Sequence, residues 1–110
     1  MELFVCVLNE PSAVEDVMAG FLEIGVAGST IIDSRGMGKI ISQDIPIFGG
    51  FKNLFEGARE ANVTIFSVMA SSLVEEAIRV VEEVHKSLDE PSSGIVFTLP
   101  VGRVKGIGGV

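Results

Sequence analysis

The chain has 110 residues, of which 47% are apolar, and a formal net charge of −7. This length suits one domain with its own hydrophobic core, and we expect residues 1–110 to form that single domain. The acidic balance and eight scattered lysines and arginines argue against nucleic-acid binding, which needs clustered cations.

One cysteine, Cys6, stands in an apolar run near the N-terminus, so a disulfide framework is excluded. A reducing compartment is the default for such a chain, and we expect a cytoplasmic protein. The first residues lack the basic start of a signal peptide. No apolar stretch approaches the length of a membrane-spanning helix, so we expect no membrane insertion.

The first half of the chain predicts a strand, a helix and a second strand. Residues 2–8 are β-branched and aromatic, as in a strand, and residues 29–34 show the same character. Ser12 and Glu15 fit the capping box of a helix start, and Gly25 suits the helix C-terminus. Between them, apolar residues at helical spacing predict one buried stripe: Val14, Val17, Met18, Phe21 and Leu22.

The second half repeats this order. Residues 62–70 predict a third strand, and Ser72 with Glu75 repeats the capping box. We expect the second helix to end at residues 89–91, because proline cannot continue it, and residues 95–99 to form a fourth strand. The apolar stripe of this helix comprises Val74, Ala77, Ile78, Val81 and Leu88.

The element order predicts an α+β, ferredoxin-like βαββαβ (split βαβ) fold, with two helices on one face of an antiparallel sheet. A glycine-rich tail, residues 102–110, follows the last strand and is expected to be flexible. The first and third strands are central in this fold and are apolar on both faces. The helices cover one face, so the other must be hidden, most simply against further copies of the chain. The alternative is that the tail or the long insert folds back over it.

Residues 39–61 form that insert, which is far longer than a hairpin loop and rich in apolar residues. One interpretation is a mobile arm that presents its side chains to a partner protein. The other is that these side chains fill a gap between subunits. The candidate partner-binding residues are Ile45, Phe48, Phe51 and Phe55.

No residue set suggests catalysis, and we expect no enzyme. His85 is the only histidine and Cys6 the only cysteine, which excludes zinc-ligand spacing. The chain order supports no Ser-His-Asp triad. The glutamates of the second helix fit a solvated face better than paired catalytic carboxylates.

The segment GSTIIDSRGMGK, residues 28–39, resembles the nitrogen-regulatory PII signalling proteins, whose second strand ends in a glycine–aromatic–glycine–basic run before a long T-loop. LNEPSAVEDVMAGFLEIGVAG resembles their first strand, Pro-led helix and turn, and GIVFTLPV their fourth strand. The resemblance covers nearly the whole chain. It implies a trimer that binds ATP, ADP or another adenine nucleotide between subunits and engages a transporter or enzyme through the T-loop.

Residue by residue, the resemblance carries over a partial ligand site. Glycines would let backbone N–H groups approach phosphates, and a lysine would add charge. Gly94 matches the last glycine of the family's B-loop. The residues that match the strand-two side of the family's nucleotide cleft are Gly28, Thr30, Gly36, Met37, Gly38 and Lys39.

The chain also departs from the family pattern. Ile95 stands where the B-loop lysine would be, and Gly106 and Gly108 stand where two C-terminal arginines would be. Residues 89–93 are acidic where a triphosphate would need cations. The chain has no tyrosine, which excludes the uridylylation known on some T-loops.

Three hypotheses follow. The first is a PII-like sensor of a small effector, favoured by the long insert. The second is a CutA-like trimer that is metal-associated or structural and binds no nucleotide. The missing cations favour either this second hypothesis or a PII-like protein with a changed ligand. The third, a small-molecule enzyme on a dimeric ferredoxin-like barrel, is disfavoured because no base is placed in a cleft.

Overall fold

The structure, a computed structural model, describes residues 1–37, 62–85 and 94–107. Two helices each follow a short 3-10 turn, at Pro11–Ala13 and at Ser71–Leu73. The described elements confirm the predicted α+β fold, with strand ends that differ from the predicted ends by one residue at most. In chain order they are β1 (Glu2–Leu8), α1 (Val14–Glu23), β2 (Thr30–Ser34), β3 (Asn62–Met69), α2 (Val74–Val84) and β4 (Gly94–Pro100).

The four strands form one antiparallel sheet in the order β2-β3-β1-β4. The predicted central strands, β1 and β3, are therefore central. The register places one residue of each strand in a single row across the sheet: Thr30, Phe66, Val5 and Phe97. A slip of one residue would exchange the two faces of a strand. Because β1 is apolar on both faces, its apolar pattern alone does not select this register.

The core lies between the sheet and the two helices. Phe4 and Phe21 meet edge to face, with ring centroids 5.7 Å apart, a geometry that adds to the gain from burial. The helices contribute the fully buried Val17, Ala77 and Val81. The helix-facing side of the central strands completes the core with Phe4, Cys6, Leu8, Val63, Ile65 and Met69.

The two predicted capping boxes are wrong. Each helix begins through a 3-10 turn in which a backbone N–H donates to a carbonyl three residues earlier, and neither N-cap makes a side-chain hydrogen bond. Ser12 and Ser72 lie inside these turns instead of at the N-cap position. Pro11 explains the first case, because its fixed φ suits the start of a helical turn and its missing N–H removes one donor.

The predicted C-terminus of α1 is confirmed at Gly25, whose φ is +95°. Its N–H donates to the Leu22 carbonyl oxygen at 3.2 Å, and the Val26 N–H donates to the Phe21 carbonyl oxygen at 2.8 Å. This pair of bonds is a Schellman motif, which glycine favours because it has no Cβ. The motif turns the chain toward β2.

One member of the α1 stripe was placed wrongly, since Leu22 is 65% exposed. It follows Phe21, which points directly into the core, and so lies about 100° around the helix from that residue. The predicted end of α2 at residues 89–91 is wrong, since the helix ends at Val84 with His85 as its C-cap. Leu88 lies outside the described residues. Within the described ranges, neither helix combines the length and the apolar character needed to cross a membrane.

Because neither serine caps a helix, we predict that Ser12→Ala and Ser72→Ala each change the free energy of unfolding by no more than about 0.5 kcal/mol. A true capping serine would cost about 1 kcal/mol. Urea denaturation measures the difference. Ser67→Ala is the positive control, because its buried hydroxyl is hydrogen-bonded. A loss of 1 kcal/mol or more at Ser12 or Ser72 would restore the capping interpretation.

Candidate functional site

A cavity of about 590 Å³ lies at the end of the sheet where β1 and β2 begin and β3 ends. The loop between α1 and β2 forms one wall, β3 another, and the C-terminal tail a third. Its size falls in the range of small-molecule sites. The residues that line it include Leu3, Gly28, Ser29, Thr30, Phe66, Val68, Gly106 and Ile107.

The α1–β2 loop is held in place by a hydrogen bond from the core. Ser67 is 2% exposed and donates from its hydroxyl to the Gly28 carbonyl oxygen at 2.6 Å. The Schellman motif at Gly25 anchors the other end of the loop. The wall that contains Gly28 and Thr30 is therefore positioned by the fold itself.

The cavity wall is apolar with two hydroxyl groups. Leu3, the half-buried Phe66 and Val68 provide apolar surface, and Ser29 and Thr30 provide hydroxyls that can donate or accept. Among the described residues, no charged side chain lines this cavity. Such a wall can hold a planar, mostly apolar group and orient it with a few hydrogen bonds.

The described candidate ligand residues fall into two separate groups. Gly28 and Thr30 line the cavity together. Gly36 and Met37 follow the far end of β2, and Gly94 begins β4. The remaining candidates lie outside the described residues and stay predictions: Gly38, Lys39, Ile45, Phe48, Phe51 and Phe55.

The two edge strands separate the halves of the predicted site. β2, which leads to Gly36, and β4, which begins at Gly94, lie at opposite edges of the sheet with β3 and β1 between them. Three strand spacings amount to about 14 Å. One chain therefore does not bring the Gly36 side and the Gly94 side into a common cleft.

Gly94 has a structural reason to be glycine. Its φ is +141°, and a Cβ added to it would collide with the backbone carbonyl oxygen of Val7. The collision arises because β4 begins here, opposite Leu8 of β1. The close approach of the two strands thus requires glycine at this position, whether or not a ligand binds there.

A polar cluster joins the two strand ends from which the long insert leaves. The Ser34 hydroxyl donates to Asn62 Oδ1 at 2.5 Å and shares a hydrogen bond with the Thr64 hydroxyl at 2.9 Å. Gly36 packs close by, since a Cβ there would come within 3.3 Å of Asn62 Nδ2. Sequence reasoning missed this cluster, although Asn62 and Thr64 are polar residues at the start of a mostly apolar strand.

The face of the sheet away from the helices, called here the open face, is apolar over most of its area. On β1 it contains the half-buried Leu3 and Val7 with the buried Val5 between them, beside the outward residues of both neighbours. On β4, Ile95, Phe97 and Leu99 are 55%, 45% and 47% exposed. Ile32, Phe66 and Val68 continue the same face on β2 and β3.

Cys6 and His85, the cysteine and the histidine of the chain, are both packed inside the fold. Burial raises the pKa of the Cys6 thiol to about 12, so it stays protonated and a poor nucleophile near neutral pH. The buried His85 places Nδ1 3.8 Å from Glu10 Oε2, joining the end of α2 to the turn before α1. Among residues 1–37, 62–85 and 94–107, no three His, Cys, Asp or Glu side chains are grouped to hold a metal ion.

Glu2 is tied to the sheet by hydrogen bonds. The Thr98 hydroxyl donates to Glu2 Oε1 at 2.7 Å. This bond, followed by one from the Ser71 hydroxyl, lowers the pKa of the Glu2 carboxyl from its usual value. The Glu2 carboxylate at the start of β1 thus has hydrogen-bond partners on β4, from Thr98, and in the 3-10 turn before α2, from Ser71.

Comparison with known proteins gives one family. A family model described as nitrogen regulatory protein P-II matches residues 3–108, which is nearly the whole chain. No curated protein gives a significant match. The match covers both halves of the sheet, the cavity wall and the span of the insert.

We predict that Gly94→Ala destabilises the protein by about 2 kcal/mol or more, because it adds a clash with backbone to a strained φ. Urea denaturation of the purified variant measures the loss. Gly102→Ala is the matched control, since a Cβ there meets nothing within 4 Å and its φ is not in the left-handed region. If Gly94→Ala matches the control, the glycine is not required by the fold.

Proposed function

The chain belongs to the nitrogen regulatory protein P-II family, and we propose that it acts as a homotrimer that senses an adenine nucleotide between its subunits. In this proposal the bound effector controls a partner protein through residues 39–61. Family membership makes the chain a P-II-type regulatory signalling protein. The adenine-nucleotide ligand and the trimeric assembly are proposals that go beyond family membership.

The single observation that carries the proposal is the open face. Monomeric proteins rarely expose a contiguous apolar patch of this extent. Here four strands contribute to it, and three large apolar side chains of β4 are each about half exposed. Further copies of the chain would bury this face in the manner of a domain core divided between subunits.

The position of the candidate residues supports a ring of copies. Gly36 lies beside one edge strand of the sheet and Gly94 begins the edge strand at the opposite edge. The two glycines can therefore share a cleft only if they come from different chains. A head-to-tail interface between unlike edges closes into a ring when the rotation permits. A closed trimer would thus form a cleft between the β2 side of one subunit and the β4 side of the next.

The proposed effector is ATP, ADP or another adenine nucleotide. The described cavity supplies Gly28 and Thr30 from the candidate set, with Phe66 as an aromatic surface. Gly36, Met37 and Gly94, together with Gly38 and Lys39, complete the proposed ligand residues. Binding at the cleft would act on the insert because β2 leads directly from Thr30 to the residues where the insert begins.

The proposed output is regulatory and not catalytic. Ile45, Phe48, Phe51 and Phe55 would contact a transporter or enzyme. The polar cluster of Ser34, Asn62 and Thr64 joins the two strand ends from which the insert leaves. A displacement of β2 on ligand binding would therefore move both ends of the insert. A cytoplasmic setting agrees with the single reduced cysteine.

If the open face is the subunit interface, Phe97→Asp will convert the trimer to monomers, because a carboxylate would be buried there without a partner. Sedimentation velocity or light scattering after size exclusion measures the mass. Leu22→Asp is the matched control, since it places the same charge on an exposed apolar residue of α1. A trimer that survives Phe97→Asp but dissociates with Leu22→Asp would place the interface on the helices.

If Thr30 binds the effector, Thr30→Val will weaken binding of ADP or ATP about 5- to 10-fold, the loss of one hydrogen bond. Isothermal titration calorimetry measures the Kd. Thr98→Val is the matched control, because the same change is made on β4, outside the cavity wall and outside the polar cluster. Equal losses in both variants would remove Thr30 from the site.

A further inference from the structure

We infer that Ser67 is a positioning residue for the effector and acts through the backbone of Gly28 in the loop between α1 and β2. This inference rests on the proposed function, because that loop forms one wall of the same cavity. It predicts that removing the Ser67 hydroxyl weakens the binding of ATP and ADP by more than a general loss of stability does.

Ser67 places a hydroxyl in a layer that is otherwise apolar. It lies on the helix-facing side of β3, opposite Phe4 of β1, and its side chain is buried. Ile65 and Met69, the core-facing residues before and after it in the strand, are buried hydrophobic residues. A buried hydroxyl lowers stability unless it is hydrogen-bonded, so the effect of serine at this position depends on the bond that it makes.

The Ser67 hydroxyl makes this bond by donating to the Gly28 carbonyl oxygen, at 2.6 Å and across 39 residues of sequence. The bond joins the core-facing side of β3 to the loop that precedes β2. Because the donor is a side chain, a single substitution removes the bond and leaves the backbone ladder of the sheet intact. The position of the loop therefore depends on one side chain that can be varied.

Packing does not hold Gly28 in place. The residue is exposed, and a Cβ built on it would meet nothing within 4 Å beyond its chain neighbours. On one side of it the Schellman motif anchors the chain at Val26, and on the other side the sheet holds Thr30 against β3. Gly28 lies midway between these two anchors, and its bond to Ser67 ties it to the core.

The same bond sets the direction of the peptide group that follows Gly28. In a planar trans peptide the C=O and the N–H point in opposite directions. Because the Gly28 carbonyl points at the buried Ser67 hydroxyl, the Ser29 N–H points away from that hydroxyl. Gly28 and Ser29 both line the cavity, so Ser67 fixes the orientation of backbone groups in this wall.

A wall that is in place before the effector arrives favours tight binding. When a loop has to be ordered on binding, part of the free energy of interaction is lost to its conformational entropy. The Ser67 bond orders the loop in the unbound protein, and its removal would transfer that ordering to the binding step. We expect the affinity to fall about 5- to 10-fold when the hydroxyl is removed.

The test is calorimetric titration of the full-length protein with ATP and ADP, at a temperature where circular dichroism shows every variant to be folded. Ser67→Ala should raise both Kd values about 5- to 10-fold, and Ser67→Thr, which keeps the hydroxyl, should stay within about twofold of wild type. Val17→Ala is the matched control, because Val17 is fully buried on α1 and lies outside the described cavity wall. It should lower stability and leave both Kd values unchanged.

Nuclear magnetic relaxation of the backbone amides gives a second readout, which a general loss of stability does not move. In Ser67→Ala the order parameters of residues 27–29 should fall from about 0.85, typical of rigid backbone, toward about 0.6. In Val17→Ala they should stay at the wild-type value. Bound ATP or ADP should restore them in Ser67→Ala, because coupling between loop order and effector binding is reciprocal.

The outcomes separate the two levels of proposal. Unchanged Kd values in Ser67→Ala, or losses of equal size in Val17→Ala or Ser67→Thr, overturn the inference and leave the proposed nucleotide sensor in place. If wild type binds neither ATP nor ADP, the nucleotide part of the proposed function fails and the inference fails with it. A loss confined to Ser67→Ala, with lowered order parameters at residues 27–29, supports both.

Discussion

The structure depends on one constraint, which is that β1 and β3 are apolar on both faces while the two helices can cover only one. Phe4, Cys6 and Leu8 are fully buried under the helices. Leu3, Val5 and Val7 alternate with them and face the other way. The described helices cover only the first of these faces, so the interior of the protomer and the proposed interior of the assembly would be built from the same two strands.

Much of the fold follows from local patterns. The β-branched and aromatic run of β1, the helical stripes and the Gly25 terminus are each encoded within a short stretch of residues, and each was predicted correctly in its main features. The capping boxes failed because the S-x-x-E pattern does not say whether the chain enters the helix directly or through a 3-10 turn. The assignment of Leu22 to the buried stripe failed because burial at a helix end depends on how the sheet and the other helix pack against it, which the sequence alone does not supply.

The candidate site was less accessible to sequence reasoning than the fold. Gly28 and Thr30 are close in sequence and lie in one cavity wall, whereas Gly36 and Gly94 are separated by the width of the sheet. Whether distant residues share a site depends on the assembly, and no local pattern reports that geometry. Ser67 was detectable in principle, since it is a hydroxyl at a core-facing position of β3, but its bond to Gly28 requires the packed structure.

The fold constrains unequally the positions to which the family resemblance assigns ligand-binding cations. Ile95 is half exposed on an edge strand, so exchanging a cation for it leaves the core unchanged. Gly106 has open space around it, but its φ of +105° disfavours any side chain. Gly94, beside Ile95, is held by strand geometry and is not free to vary in this way. A chain can therefore keep the architecture of its family, as the match over residues 3–108 shows, while the charge around its cavity changes. In such a family, similarity of fold carries over to the ligand only as far as the individual wall residues do.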